Sequence, residues 1–420
     1  MLRASCHRKV EMRVCHYNTH AFGGSYEYAA LLCHALDAEG IASRLRCKVS
    51  PADRGVRRFF DRLIRRSYVS VSREPWHGTR RFSAPSSTRD FEEIDVVHLH
   101  TVADWFDVPS WLDTLPREIG VVISLHDMWH FTGGCFLYRG CNLYSETCTP
   151  CPILKSPFNW FLARDEHRRK LQAYRNCRAQ FVANSFWLAE LAARSPIVKA
   201  SGGVRVIPPG IDTTVFKPQD RNRCRKQLDL PQNAFVIITG GASLTDANKN
   251  VPWLFKQLLH LPDLQDAIVL AFGEGSVPVP DHLNVRFTGG IRDRRDLAQL
   301  FAAADVFVSA SLMETYGLTL VESMACGTPV VAFRAGGIPE AAPDGQGAIL
   351  CESGNGAALI EAITKLRDSP QLRKTLGEAG RETARVRNAE SSFANAFAQL
   401  YQECVSSRED AQCKQLALKT

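Results

Sequence analysis

The sequence predicts an α/β protein built as two doubly wound, parallel-sheet domains. Three observations carry that prediction. Short apolar runs alternate with amphipathic stretches of helical period, the pattern of βαβ units. The rhythm stops at the turn-rich segment Pro208-Pro209-Gly210-Ile211-Asp212 and then restarts. And 420 residues, 45% hydrophobic and 23% charged, supply two or three cores at roughly 100–200 residues per domain, which excludes a disordered or collagen-like chain.

The elements follow in order. In the first half, strands are predicted at Met12–Asn18, Ile41–Val49, Asp95–His100, Val121–His126, Gln180–Ala183 and Val204–Ile207. Helices lie between most of them, including Ser25–Ala38, closed by Gly40 as a C-cap, and Phe158–Cys177. In the second half, strands are predicted at Phe235–Thr239, Ala267–Phe272, Val285–Thr288, Val306–Ser309, Val330–Phe333 and Ala348–Leu350. The tail, Ala389–Glu409, puts Phe393, Ala396, Phe397, Leu400, Tyr401 and Cys404 on one face of a helix. That face can pack on the second domain or cross back to the first. The expected organisation is a domain over 1–205, a second over 206–390 with a hinge near 208–220, and a helical tail over 391–420.

Charge is unevenly spread. The formal net charge is +7, but residues 1–200 hold 28 basic and 20 acidic side chains and residues 201–420 hold 23 and 24. The segment 52–81 alone has nine arginines against Asp53, Asp61 and Glu74, a local +6. The start lacks the apolar core of a signal peptide, and no apolar run approaches the roughly 18 residues of a spanning helix, so a cytosolic protein is expected. Ten of the fourteen cysteines are scattered through apolar stretches, as small hydrophobes in a reducing compartment would be. The other four are Cys135, Cys141, Cys148 and Cys151.

The most informative run is Ser309-Ala-Ser-Leu-Met-Glu314-Thr-Tyr-Gly317-Leu-Thr-Leu-Val-Glu322-Ser-Met-Ala-Cys-Gly-Thr-Pro329. It reads as a buried strand, a polar loop and a helix starting near Gly317. In an open α/β sheet the ligand crevice lies at the carboxyl ends of strands, where this loop falls. Free amides near Gly317, Leu318 and Thr319 suit a diphosphate. Glu322 lies roughly 7 Å along the helix, at 1.5 Å per residue, and Glu314 precedes its start. One strand-loop-helix unit thus offers a carboxylate for sugar hydroxyls, amides for a diphosphate and a carboxylate for a ribose diol. An isolated pair of glutamates would more simply cap a turn and face solvent.

The surrounding residues resemble a family. Glu314 and Glu322 match the E-x7-E signature of family 4 retaining glycosyltransferases. The flanks Ala325-Cys326-Gly327-Thr328-Pro329-Val330-Val331 and Gly336-Gly337-Ile338-Pro339-Glu340 match as well. Phe287-Thr288-Gly289-Gly290-Ile291 resembles the segment that lines the family's base pocket, and Val206–Asp212 its inter-domain segment, with Pro209 in place of Asn. The resemblance implies the GT-B fold, two Rossmann-like domains facing a cleft, with the donor site in 206–390 and the acceptor site in 1–205. Lys249 falls at the family's phosphate-binding lysine. Ser243 stands where an arginine is common, so either it donates a neutral hydrogen bond or another arginine compensates. The glycine loop Gly23-Gly24, between the first strand and helix, is implied to face the donor phosphates. By itself it would read as a plain strand-to-helix turn. His126, at a strand's carboxyl end, is implied to orient the donor sugar and stabilise charge, with Asp127 holding the imidazole. Its plainer reading is a satisfied structural histidine.

Two features extend the resemblance. The stretch from His126-Asp127-Met128-Trp129 through Cys135, Cys141, Cys148 and Cys151 is similar to a subset acting in exopolysaccharide assembly, including the colanic-acid type. Four thiols ending in C-x2-C suit a structural zinc, or else pack a loop as reduced thiols. The arginine-rich segment 52–81 interleaves Phe59, Phe60, Leu63 and Ile64. No nucleic-acid recognition module accompanies it, which leaves an anionic membrane surface or a solvated helix.

The expectation is a membrane-peripheral hexosyltransferase of the cytoplasmic face. It would use a UDP- or GDP-hexose, require no cofactor beyond the candidate zinc, and act on a glycan acceptor, polyprenyl-diphosphate-linked, in exopolysaccharide or lipopolysaccharide synthesis. The alternatives are a nucleotide-sugar epimerase on the same fold and a non-catalytic partner subunit.

Overall fold

Two six-stranded, all-parallel sheets carry the chain, in a computed structural model that describes residues 12–48, 60, 62–63, 66, 76–80, 93–138, 140–155 and 160–417. The first sheet contains β1 (Arg13–Asn18), β2 (Ala42–Cys47), β3 (Val96–Leu99), β4 (Gly120–Leu125), β5 (Gln180–Ala183) and β6 (Val204–Val206), in the order β2-β1-β3-β4-β5-β6. The second contains β7 (Phe235–Ser243), β8 (Ala267–Glu274), β9 (Val285–Gly289), β10 (Val306–Ser309), β11 (Val330–Phe333) and β12 (Ala348–Cys351), in the order β12-β11-β10-β7-β8-β9. All twelve strands lie where the apolar runs place them. The ends differ by a few residues, because β7 and β8 continue past the apolar run into Gly240–Ser243 and Gly273-Glu274.

Each sheet reverses its winding once. The first does so between β1 and β3, the second between β7 and β10, and the crevice of a doubly wound sheet opens at the carboxyl ends of such a pair. Both sheets are buried on two faces. That is why β3, β4 and β10 are buried along their whole length and do not alternate between buried and exposed residues.

The last helix, Glu390–Ala417, settles the choice left open by the sequence: it crosses back to the first domain. Phe393, Phe397, Leu400, Tyr401 and Cys404 share a core with Val14, Tyr28, Leu32, Val96, Val122 and Val182, and Ala396 packs against it. Its entry is fixed by Asn388, whose side-chain amide donates to the Pro209 carbonyl at 2.7 Å and to the Tyr316 hydroxyl at 2.8 Å. Gly210 is required beside it, since any Cβ there would press into the Phe393 ring. Among the described residues, no helix is long and apolar enough to cross a membrane.

Candidate functional site

Lys249 and Glu314 follow β7 and β10, so the pair straddles the winding reversal of the second sheet. Lys249 Nζ donates to Glu314 Oε1 at 2.6 Å. Burial lowers the pKa of the ammonium, but the Glu314 carboxylate and Asp246 outweigh it and the net shift is upward. The loops that carry the pair are stitched together: Leu312 N donates to the Asn248 carbonyl at 2.9 Å, and Asn248 Nδ2 to the Met313 carbonyl at 2.6 Å. Gly336 and Gly337 hold Glu314 from below. Gly337 N donates to the Glu314 carbonyl at 2.8 Å, and a side chain at either glycine would strike the backbone of Glu314 or Thr315.

The helix Leu318–Ala325 begins at Gly317, in the left-handed region at φ 103°, with no side-chain cap. Its first amides, around Gly317, Leu318 and Thr319, are therefore not taken up by a capping side chain, and the dipole there favours an anion. Glu322 is 3% exposed in this helix and accepts from Arg294 through Oε1, while Oε2 meets no polar partner. Burial raises its pKa and Arg294 partly restores it. Arg294 also reaches Glu27 of the first domain at 3.6 Å and lies over the Phe216 ring at 4.8 Å. Glu27, Arg294, Leu318 and Glu322 line a cavity of about 230 Å³ between the domains. A buried carboxylate oxygen without a donor at such a wall suits paired hydroxyls.

Arg294 is one residue that sequence reasoning missed. Its signal is the helix start Asp293-Arg294, where Asp293 caps the helix by accepting from Arg295 N at 2.8 Å and leaves the arginine free to turn toward Glu322. Ser243 is engaged with Thr245, their hydroxyls 2.9 Å apart. Gly290 and Ile291 follow β9; Gly290 sits against the Glu274 carboxylate, and Ile291 packs on the second core.

Across the cleft, Gly23 has φ 86° and caps the helix Gly24–Ala38. No atom lies within 4 Å of a Cβ built at Gly23 or Gly24, so the loop stands in open space and its glycine is required by backbone conformation, not by crowding. Glu27, one turn on, is the residue that meets Arg294.

His126 ends β4. Its main-chain carbonyl accepts from Thr315 Oγ1 at 3.1 Å, which places it beside Glu314, and the Tyr28 ring meets its imidazole edge-on at 4.7 Å. Burial lowers its pKa to about 3, so the ring is neutral. The expectation that Asp127 holds this imidazole fails. Asp127 Oδ1 instead accepts from Trp129 N at 2.7 Å, and His126 Nε2 lies 3.0 Å from His100 Nδ1. Burial raises Asp127 to about 6, against the Trp129 amide and Lys170.

The domains are clasped next to this site. Ser185 Oγ donates to the Thr315 carbonyl at 2.6 Å, and the Glu340 carboxylate accepts from Phe186 N and Trp187 N at 2.6 and 2.8 Å, at the start of the helix Phe186–Arg194.

Cys135, Cys141, Cys148 and Cys151 line a second cavity of about 270 Å³. Burial raises the Cys135 thiol to about 11 and raises Cys148 and Cys151 too, and Gly133 N donates to Cys148 Sγ at 3.1 Å. A tetrahedral zinc needs sulfurs converging on one point. Among the described residues, these thiols form no group of three placed to hold a metal ion. Most of the basic segment 52–81 lies outside the described residues; of its arginine-rich first part, Phe60, Arg62, Leu63 and Arg66 are described, are helical and are all exposed.

Two family models match. Residues 22–215 match Glycosyltransferase Family 4, and residues 234–369 match Glycosyl transferases group 1. The D-inositol 3-phosphate glycosyltransferase 1 of Catenulispora acidiphila is 36% identical over 185 residues, 40% of this chain and 44% of that protein. The D-inositol 3-phosphate glycosyltransferase of Mycobacterium bovis is 32% identical over 194 residues, 43% of this chain and 40% of that one. The chain thus spans about half the length, or less, of the curated relatives it matches. In fold, it is similar to the sucrose-phosphate synthase of Thermosynechococcus elongatus, with TM-score 0.67 and 20% identity over 94% of this chain and all of that one. It is also similar to Anabaena HepE in complex with UDP-glucose, with TM-score 0.62 and 19% identity over 94% of this chain and all of that one. WaaG, a glycosyltransferase involved in lipopolysaccharide biosynthesis, superimposes with TM-score 0.60 and 14% identity over 92% of this chain and 98% of that one. The two-domain α/β fold is that of the GT-B glycosyltransferases.

Proposed function

We propose that this chain is a family 4 retaining glycosyltransferase that moves a hexose from a nucleoside-diphosphate sugar. The observation that carries the reading is the Lys249–Glu314 pair, set at the winding reversal of the second sheet beside an uncapped helix start. Breaking the glycosidic bond builds charge on the departing diphosphate. A fixed cation and helix amides aimed at that charge lower the barrier in a water-poor cleft. Glu314 would take the sugar hydroxyls, Lys249 the diphosphate, and Glu322 the ribose diol through its unpartnered oxygen. Gly23 and Gly24 would close over the phosphates from the first domain. His126 is neutral and held by burial, which suits orientation of the sugar; the departing phosphate would draw the acceptor's proton as that oxygen attacks from the same face.

UDP-glucose, held by HepE, is a natural first donor to assay. For the acceptor, we carry forward a lipid-linked glycan of exopolysaccharide or lipopolysaccharide synthesis, as the cysteine loop and the basic segment suggest. The relatives named for D-inositol 3-phosphate favour a second reading, a small phosphorylated polyol.

Nucleotide release tests the class. Purified protein with UDP- and GDP-hexoses, and with lipid-linked and phosphorylated-polyol acceptors in parallel, should release nucleoside diphosphate with one acceptor. Lys249→Ala and Glu314→Ala should each cut kcat by about 10²- to 10³-fold, the loss typical of a group that stabilises transition-state charge. Unchanged release in both variants would remove the site assignment. Donor conversion with no acceptor present would point instead to an epimerase. Zinc analysis of the purified protein tests the cysteine loop.

A further inference from the structure

Behind His126 runs a file of buried imidazoles that the proposed chemistry leaves unexplained. His100 Nδ1 lies 3.0 Å from His126 Nε2, and His100 Nε2 lies 3.0 Å from His16 Nδ1. His16 and His100 are fully buried. His16 Nε2, the far end of the file, meets no polar partner. The adjacent His98 is spent elsewhere, on Tyr401 at 2.7 Å and Ser124 at 2.8 Å. Both nitrogens of His98 and both of His100 are therefore engaged, which leaves His16, His98 and His100 a poor metal site despite their proximity.

The file has a direction. Each N···N contact needs one N–H and one lone pair, and each neutral imidazole brings a single proton. Three rings thus spend two protons on the two contacts and keep one for an end. If the chain ran toward His16, that last proton would sit on His16 Nε2, as a buried donor with no acceptor. If it runs toward the cleft, His16 keeps only an unfilled lone pair and the last proton sits on His126 Nδ1, in a partly exposed residue whose main-chain carbonyl accepts from Thr315 Oγ1. Buried N–H groups without an acceptor are rarer in folded proteins than buried acceptors with an unfilled lone pair, so the second arrangement prevails. Burial keeps the rings neutral, which removes the doubly protonated escape.

We propose that His16 and His100 are positioning residues that lock His126 in its Nδ1–H tautomer, making it a hydrogen-bond donor to a sugar or acceptor oxygen and denying it the role of general base. The tautomer assignment stands on the contact geometry and the burial of the rings, and its catalytic meaning rests on the glycosyltransferase reading.

Long-range 1H–15N correlation spectra of the full chain, 15N-labelled at histidine and recorded near pH 7, decide it. The His126 pattern, assigned by its loss in His126→Gln, should show a protonated Nδ1 and an unprotonated Nε2, the tautomer that free histidine disfavours. A protonated Nε2 would overturn the proposal. His100→Leu removes the lock. The His126 signal should then move toward Nε2–H, and kcat should fall about tenfold, the usual scale for removing a group that orients another, with donor KM changing less. A folded His100→Leu protein that keeps Nδ1–H at His126 would also overturn it. Should that variant fail to fold, the wild-type spectrum still decides. A wild-type spectrum with Nδ1–H in a protein that turns over no nucleotide sugar would uphold the tautomer and sink the glycosyltransferase reading.

Discussion

Glu314 and Lys249 lie 65 residues apart in the chain and 2.6 Å apart in space, and their meeting is arranged by glycines more than by their own conformations. Gly241 lets the Lys249 stem pass, since a Cβ there would sit 3.1 Å from Lys249 Cε, and Gly336 and Gly337 let the backbone come up beneath Glu314. Asp127 shows the opposite case, a charge held where burial disfavours it. Its pKa is raised from 3.8 to about 6, so the unfolded chain releases this proton at lower pH than the folded one. Wild-type stability should therefore fall as pH rises from about 4 to about 6 and stay level above. Asp127→Asn keeps an oxygen for the Trp129 amide and removes the charge. It should flatten that dependence and stabilise the protein at pH 8 by up to about 3 kcal/mol, at 1.36 kcal/mol per pKa unit. Denaturant midpoints of the two proteins across pH 4–8 measure it, and parallel curves would show that Asp127 is not the group responsible. Residue identity at the site was largely legible in the sequence, because the E-x7-E spacing and its glycine flanks form one contiguous run. Arg294, His100 and His16 were not, since each acquires its partner from another strand or another domain.

At the scale of elements, the helix Glu390–Ala417 shows how far a pattern can be read. Its apolar face is plain in the sequence, yet the partner is a surface some three hundred residues earlier, and two partners were equally compatible with the pattern. Phe397, fully buried between Tyr28, His98 and Tyr401, should be a principal anchor. Phe397→Ala should cost about 3–5 kcal/mol, the range for deleting a buried aromatic ring. Thermal melts give the measurement, and a loss below about 1 kcal/mol would mean the helix docks without it. Because Phe397 packs on His98, which stacks on His100 at 4.2 Å, the same variant should blunt turnover at temperatures where the fold survives. The predicted helix Phe158–Cys177 is found as Trp160–Asn176. It delivers Lys170 to the carbonyls of Trp129 and Thr132 at 2.5 and 3.1 Å, holding the turn that follows His126. Nothing in the local pattern announces a lysine buried completely.

Across the whole molecule, the +7 charge is carried by the first half, and the described part of the arginine-rich segment is exposed, with Phe60 at 45% and Leu63 at 44% exposure. Arginine beside exposed apolar groups suits an anionic lipid surface. Arg62→Glu with Arg66→Glu should weaken sedimentation with vesicles containing anionic lipid by about 30-fold, at roughly 1 kcal/mol for each basic residue near the surface, while leaving nucleotide release with a soluble acceptor unchanged. Equal binding by variant and wild type would leave the segment a solvated helix. The cleft is closed by contacts drawn from both domains: Arg294 to Glu27, Thr315 to His126, and Glu340 to the amides of Phe186 and Trp187. By itself, the sequence determined the two parallel sheets, their strands and the acidic pair of the proposed donor site, because periodicity, turn residues and contiguous motifs are local properties of the chain. Only the tertiary structure decided where the last helix docks, what holds His126 and which arginine meets Glu322. Those depend on which surfaces two folded domains bring together, and no local pattern encodes that.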